Sequence, residues 1–321
     1  MSNDFSANSH LSFSQKLFIW FINLFPLKWR VWFFECCGRV IFWLDLWHRR
    51  LTLRNLALAF PGKTKEELKE IGKDVFRNLG RVLAEFSFIP KLNKENVHNY
   101  VVWEGEENFR QAYEKGRGII FLTAHFGNWE WMAATFPLLV GLPCHVVMRP
   151  LDNKYLDQLV EALRTWTGNK TIPKRKAMGR MLRLLQNREI VGVLLDQNVD
   201  WHEGVFVNFF GHLACTNSGL ALLAMRTGAA VLPAFNIRQK NGQYRVIIEP
   251  EISLIRTENK DADILQNTRV FTQIIEKYVR AYPDHWLWLH RRWKTRPWRA
   301  KNLAGRIENE NNGIMGKGIL E

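Results

Sequence analysis

Cysteine is scarce in this chain: 321 residues contain four, Cys36, Cys37, Cys144 and Cys215. They show neither the paired spacing of a zinc site nor a disulfide framework, and the adjacent Cys36 and Cys37 are poorly placed to bridge each other. All four read as reduced thiols acting as small hydrophobes, which suits a catalytic body in a reducing compartment. Long apolar runs are missing too. In the aromatic N-terminal part the longest uncharged run is residues 17–27, short of the about 20 residues that a spanning helix needs. A secretory signal is not expected, because Asp4 stands where a basic n-region belongs and no small-residue cleavage site follows. There is no internal repeat. There is also no Gly-x-Ser-x-Gly elbow, so nothing in the sequence argues for a serine nucleophile.

Negative charge is in short supply: 31 acidic side chains face 45 Lys and Arg, a formal net charge of +14. Such an excess points to an acidic partner, whether nucleic acid, an anionic membrane surface or an acidic protein. The 14 tryptophans favour the membrane, since indole rings collect where one end is apolar and the other wet. Eleven of the 31 residues in segment 17–47 are Phe or Trp. Lys28, Arg30, Glu35, Arg39 and Asp45 interrupt that segment. It is expected either to lie in the interface as a helix broken near Pro26, or to cross as one tilted span with snorkelling charges. A buried helix pair packed on the body is the other reading.

Three regions are expected: a tail and membrane-anchoring segment over 1–47, a catalytic domain over 48–299, and a polar tail over 300–321. Thr64 and Glu67 form a capping box that opens a long amphipathic helix over 66–88, stopped by Pro90. Beyond residue 100 short apolar stretches alternate with helical periods. Strands are expected at 100–103, 118–123, 145–148, 190–195, 230–236 and 244–249. Helices are expected at 106–115, 129–139, 154–166, 177–186, 217–226 and 262–281. The fold class is therefore α/β, a mostly parallel sheet flanked by helices, preceded by an aromatic-rich, membrane-associated helical segment.

Chemistry-bearing residues gather where strands end. In open α/β sheets, sites form outside the carboxyl ends of the strands. His125 follows the apolar strand 118–123, and Glu130 follows five residues later. On one continuous helix those positions point apart. They can meet only if His125 lies in the turn and Glu130 in the first helical turn. Gly127 would give that turn its freedom and Asn128 would cap the helix. An ionised Glu130 beside one imidazole nitrogen would fix the tautomer and support the imidazolium, leaving the other nitrogen to accept a proton from a hydroxyl. Arg149 follows strand 145–148 and suits phosphate. Asp196 follows strand 190–195. Arg149 could equally be a surface arginine and Asp196 a turn carboxylate, while three Phe in one short loop are more often core than groove. The cationic stretch 170–183 could receive an acidic carrier protein or a phosphorylated headgroup.

HFGNWE (125–130), with RRLTLRNLALAFPGKT, NLGRVLAEF, MRPLDN, LLDQNV, VFVNFFG and WLHRRWKTRP, resembles the His-x4-Asp/Glu acyltransferases. It is most similar to the late lipid A acyltransferases, the lauroyl and myristoyl transferases of Gram-negative inner membranes. The likeness runs in the family's order over roughly residues 15–298. It implies His125 as general base, with Glu130 as its partner where the broader superfamily has Asp. It implies Arg149 facing an acceptor phosphate or the acyl carbonyl, Asp196 in the same cleft, and Phe206, Phe209 and Phe210 shaping an acyl groove. Backbone N–H groups near Gly127 and Asn128, or Arg149, are candidate oxyanion donors. The implied reaction moves a fatty acyl chain from an acyl carrier protein thioester to a hydroxyl of an anionic glycolipid, a lipid A precursor. It takes place at the cytoplasmic face of the inner membrane, without metal, cofactor or nucleic acid. The alternatives are a lysophospholipid or other glycolipid acyltransferase using acyl-CoA or acyl carrier protein, and a non-enzymatic membrane or nucleic-acid binder. A metal hydrolase lacks a third ligand beside His125 and Glu130.

Overall fold

The computed structural model describes residues 11–297; the tail expected at 300–321 lies outside them. The chain opens with helices α1 (Phe13–Ile22), capped by a Ser12–Gln15 box, and α2 (Leu27–Leu44), which meet at a bend of 99°. Pro26 stands at the break as the N-cap of α2; its fixed φ suits a helix start and its missing N–H ends the preceding one. No single helix among the described residues is long and apolar enough to cross a membrane, although the bent pair together meets that test by length and composition. After α3 (Leu46–Ala59) comes α4 (Lys65–Phe86), opened by the expected Thr64–Glu67 capping box. α2 lies along α4. A Cβ at Gly38 would collide with the carbonyl of Phe76, and one at Gly80 with that of Phe34. Two glycines on facing helices thus let the backbones touch. An ion pair between Arg81 and Glu35 closes the same crossing.

The body is a seven-stranded sheet in the order β1 (Val101–Glu104), β9 (Tyr244–Ile248), β8 (Ala230–Arg238), β2 (Ile119–Thr123), β5 (Ile190–Leu194), β3 (Cys144–Met148), β4 (Lys170–Pro173). Strands β8, β2, β5, β3 and β4 run parallel, and β9 turns back antiparallel to β8. Every residue of β2 is buried, as a strand covered on both faces requires. Ile120 and Leu122 point into the core under α9 (Gly219–Thr227) and α10 (Lys260–Ala281); Ile119 and Phe121 point into the core under α5 (Glu106–Glu114) and α6 (Trp129–Val140). Helices α7 (Lys154–Thr165) and α8 (Ala177–Gln186) follow β3 and β4.

Two elements differ from the sequence expectation. β4, in KTIP, reads as part of a cationic stretch, because an edge strand with exposed lysine carries no apolar run. The hairpin β6 (Gly204–Phe209) and β7 (His212–Asn217) forms a separate antiparallel pair. It turns through Phe210 and Gly211, both at positive φ, and that unusual Phe conformation hides the turn from residue statistics.

Candidate active site

His125 lies in the turn between β2 and α6, outside the carboxyl end of the central strand. A close approach holds this turn. Gly127 has φ 58°, and a Cβ there would fall on the carbonyl oxygen of Asn236. The Gly127 N–H donates to the His285 carbonyl at 2.8 Å, and the Leu287 N–H donates to the His125 carbonyl at 3.0 Å. Asn128, wholly buried, accepts from the Trp131 N–H and so caps α6. Its amide donates to Glu85 at 2.6 Å, and the Asn236 amide donates to its carbonyl. Glu85 also accepts from the Tyr244 hydroxyl at 2.7 Å. Burial pushes the Glu85 carboxyl upward, against the Tyr244 hydrogen bond and the Arg238 charge. A strand-to-helix turn is thereby fastened from behind by a buried carboxyl group 43 residues earlier in the chain than the Asn128 it holds.

The partner of His125 is Asp196. Its Oδ1 lies 2.9 Å from His125 Nδ1, and its Oδ2 accepts from Trp286 Nε1 at 2.8 Å. Asp196 is buried at the end of β5, beside β2 in the sheet. Burial opposes the imidazolium, but the charge and hydrogen bond of Asp196, with a smaller pull from Glu130, outweigh it and raise the His125 pKa. Burial likewise opposes the Asp196 carboxylate, and His125 with its hydrogen bond overcomes that and holds Asp196 far below the usual carboxylate range. The Nε2 of His125 has no hydrogen-bond partner among the described residues.

Glu130 does not occupy the place expected of it against the imidazole. It sits in the first turn of α6 and forms a fork with Arg164 of α7, at 3.0 Å to Nε and 2.6 Å to Nη2, with Trp129 Nε1 donating at 3.1 Å. The expected placement, His125 in the turn and Glu130 in the first helical turn, is met, but the Glu130 carboxylate is taken by Arg164 and His125 Nδ1 by Asp196. The field of Arg164 nevertheless reaches His125, opposing its protonation.

Glu130 and Arg164 form the polar part of an apolar cleft of about 870 Å³, counted to its open mouth. Its floor is one face of the sheet, including Phe121, Gly192, Val146 and Val246, and its roof is α6, including Met132 and Phe136. The expected groove phenylalanines are elsewhere. Phe209 and Phe210 are core residues packed on Trp286, Trp288 and Trp293, and neither they nor Phe206 lines the cleft. Arg149 is exposed just past β3 and also stands outside the cleft lining. The Gly127 N–H, a candidate oxyanion donor, is already engaged by His285. Of the residues singled out in the sequence, the structure brings together His125 and Asp196. It adds Arg164 and Trp286, which lie outside the family-like motifs, and Glu85, which lies within NLGRVLAEF, a motif that by itself assigns it no role.

The family profile described as bacterial lipid A biosynthesis acyltransferase matches residues 8–295. The chain belongs to that acyltransferase family. It is 29% identical over 247 residues to the lipid A biosynthesis palmitoleoyltransferase of Escherichia coli K12, covering 76% of this chain and 78% of that one. It is 29% identical to the lauroyltransferase of the same organism over 77% and 79% of the two chains. The myristoyltransferase of that strain is 22% identical over 88% of both. The solved 1-acyl-sn-glycerophosphate acyltransferase of Thermotoga maritima gives a looser likeness, 15% identical with a TM-score of 0.36, covering 78% of this chain and 96% of that one. In this lipid A acyltransferase the His125 imidazole packs edge-on against Trp129, 5.2 Å between ring centroids, and Trp129 in turn lines the apolar cleft.

Proposed function

We propose that this acyltransferase moves a fatty acyl chain from an acyl carrier protein thioester to a hydroxyl of a phosphorylated lipid A precursor. The reaction takes place at the cytoplasmic face of the bacterial inner membrane. The observation that carries the reading is the hydrogen bond of His125 to the buried Asp196, with the imidazole packed on Trp129, which lines the apolar cleft together with the Glu130–Arg164 fork. The acyl chain lies in the cleft, because alkyl surface leaves water there at about 25 cal/mol per Å². Its thioester carbonyl then sits at the mouth. His125 Nε2 takes the proton of the attacking hydroxyl, and Asp196 stabilises the imidazolium that results. The carbonyl oxygen gains negative charge as the new C–O bond forms. The Arg164 guanidinium, held in the Glu130 fork, is the cation placed to meet it. The tetrahedral intermediate collapses, the C–S bond breaks, and the thiol leaves with the proton from His125.

Membrane association belongs to the same proposal. Phe18, Trp20, Phe21, Trp29, Trp32 and Trp43 on α1 and α2 are all exposed, and large apolar side chains grouped at a surface mark a protein or membrane interaction site. An interfacial helix pair with aromatic rings among headgroups accounts for it. The test uses the detergent-solubilised protein with acylated carrier protein and a phosphorylated glycolipid acceptor. Mass spectrometry should show one added acyl chain, absent with His125→Ala. Transfer from acyl-CoA but not from carrier protein would replace the proposed donor. A His125→Ala variant of full activity would remove the proposed base.

A further inference from the structure

We propose that the corner built by residues 149–156 and 174–176 is a second bilayer contact, seated on phosphate-bearing headgroups of an anionic membrane. This rests on the reading of α1 and α2 as membrane-facing. β3 and β4 end side by side, with Met148 opposite Pro173 and the Lys174 N–H donating to the Met148 carbonyl at 2.8 Å. The chain leaving each strand end is exposed. From β3 come three apolar side chains open to solvent, Leu151, Tyr155 and Leu156, at 46%, 41% and 47% exposure. From β4 come three consecutive exposed cations, Lys174, Arg175 and Lys176, and Arg149 adds a fourth across the gap. Among the described residues none of these four forms an ion pair, whereas Arg77 and Arg81 of α4 and Arg238 and Arg245 of the sheet do. The acidic groups in the corner are Asp152 and Asp157, and Asp157 is engaged by the Leu151 N–H at 2.8 Å.

Continuity with the N-terminal hairpin identifies the occupant. The Gln15 amide of α1 donates to the Tyr155 carbonyl at 2.8 Å, and Gln15 is fully buried there. The first turn of α1 therefore packs on the corner, so that the helix bearing exposed Phe18, Trp20 and Phe21 starts beside it. Apolar tips interleaved with unpaired cations match the layered chemistry of an anionic interface, hydrocarbon below and phosphate above. An acidic protein would use the cations but would leave the apolar tips and their continuity with α1 unexplained. The corner is at the same carboxyl edge of the sheet as His125, two to three strands away, roughly 10–15 Å at the usual strand spacing. A bilayer held at both α1 and this corner brings headgroup hydroxyls up to the mouth of the cleft.

The test uses the full chain with Cys36 and Cys37 replaced by Ala, in which Cys144 and Cys215 stay buried, and with one added cysteine, Trp20→Cys or Leu151→Cys, labelled with an environment-sensitive fluorophore; the parent without the added cysteine is the labelling control. The probes are vesicles of phosphatidylcholine alone or in equal parts with phosphatidylglycerol. Both labels should shift to the blue and be quenched by lipid-borne spin labels on the anionic vesicles. The triple change Lys174→Gln, Arg175→Gln, Lys176→Gln should weaken binding to those vesicles by roughly a hundredfold, about fivefold per cation, and leave binding to neutral vesicles unchanged. If the residue 20 label inserts while the residue 151 label stays in water, the corner proposal is overturned and the hairpin reading stands. If neither inserts, the hairpin reading itself falls. A residue 151 label silent on vesicles but responsive to an acidic carrier protein would assign the corner to a protein partner instead. Equal loss of binding by the triple variant on both vesicle types would overturn the headgroup role.

Discussion

His125 Nδ1 and Asp196 Oδ1 lie 2.9 Å apart, across 71 positions of sequence. Trp286 holds the second oxygen of the carboxylate, so the imidazole is fixed in the tautomer whose Nε2 can accept a proton. Asp196→Asn keeps the shape and removes the charge. Its kcat should fall by about 10³-fold, within the range of general acid–base contributions. The acid limb of kcat/KM should also move to lower pH, because burial that opposes the imidazolium remains while the charge that raised it is gone. A limb left in place would separate Asp196 from the proton chemistry of His125.

The same pair makes a stability prediction with a defined sign. His125 has its pKa raised on folding, so its contribution is complete below the unfolded value and is lost as pH rises through the folded one. Asp196 has its pKa lowered, so its contribution is complete above the unfolded value and is lost as pH falls through the folded one. Both are present in full between about pH 4 and pH 6.5, the unperturbed carboxylate and imidazole values. The Tm difference between the native protein and Asp196→Asn should be greatest in that window. A difference that does not vary with pH would mean that the carboxylate acts there only by filling space.

Glu130 and Arg164 should behave as one unit. Glu130→Gln frees the guanidinium from its fork, and Arg164→Ala removes it; each should lower kcat by about 10²–10³-fold, as loss of an oxyanion donor does. The double variant should be little worse than either single one. In contrast to Asp196→Asn, the acid limb should move only slightly, since Glu130 is a lesser influence on His125 than Asp196. Fully multiplicative losses in the double variant would break the proposed coupling.

The sheet, and the position of His125 and Asp196 at strand ends, are legible in the sequence because both depend on local pattern. An apolar run such as IIFLT can only be a buried strand, and a His-Phe-Gly-Asn turn after it marks a strand end. Pairing inside the site was not legible. The contacts of His125 with Asp196 and of Glu130 with Arg164 follow from strand order and helix phase, which residue spacing leaves open. The phenylalanines of VFVNFFG went astray for a related reason. Their burial among Trp286, Trp288 and Trp293 depends on a hairpin whose turn places Phe210 at φ 55°. The signal for Arg164 was present in the apolar and charged faces of its helix, but that signal does not say which acid the arginine meets.

Glu85 should prove structural in effect and still affect catalysis. Replacing it with Ala leaves the Asn128 amide and the Tyr244 hydroxyl without their buried partner, which should cost about 2–5 kcal/mol of stability. Glu85→Gln keeps an acceptor and should recover much of the Tm. Because Asn128 caps the helix that carries Glu130, the alanine variant should also lower kcat at temperatures where it remains folded. A stable alanine variant of native activity would show that the turn is held without this network.

Acyl preference should answer to Gly192 and not to Phe210. Gly192 lies on the cleft floor, where an added Cβ would meet Cys144 Sγ at 3.4 Å and Val146 Cγ1 at 3.6 Å, ordinary contact distances. Gly192→Ala should therefore fold normally, and Gly192→Leu should occupy room that the alkyl chain needs. Given an equimolar mixture of acyl thioesters, the leucine variant should shift transfer toward shorter chains. A missing methylene in an apolar pocket typically changes discrimination by about 10-fold or more. Phe210→Ala opens the core against Trp288 and Phe60 instead, and should lower stability by about 3–5 kcal/mol with the chain-length profile unchanged. If the two variants exchanged these effects, the acyl chain would have to lie along the β6–β7 hairpin and not beneath α6.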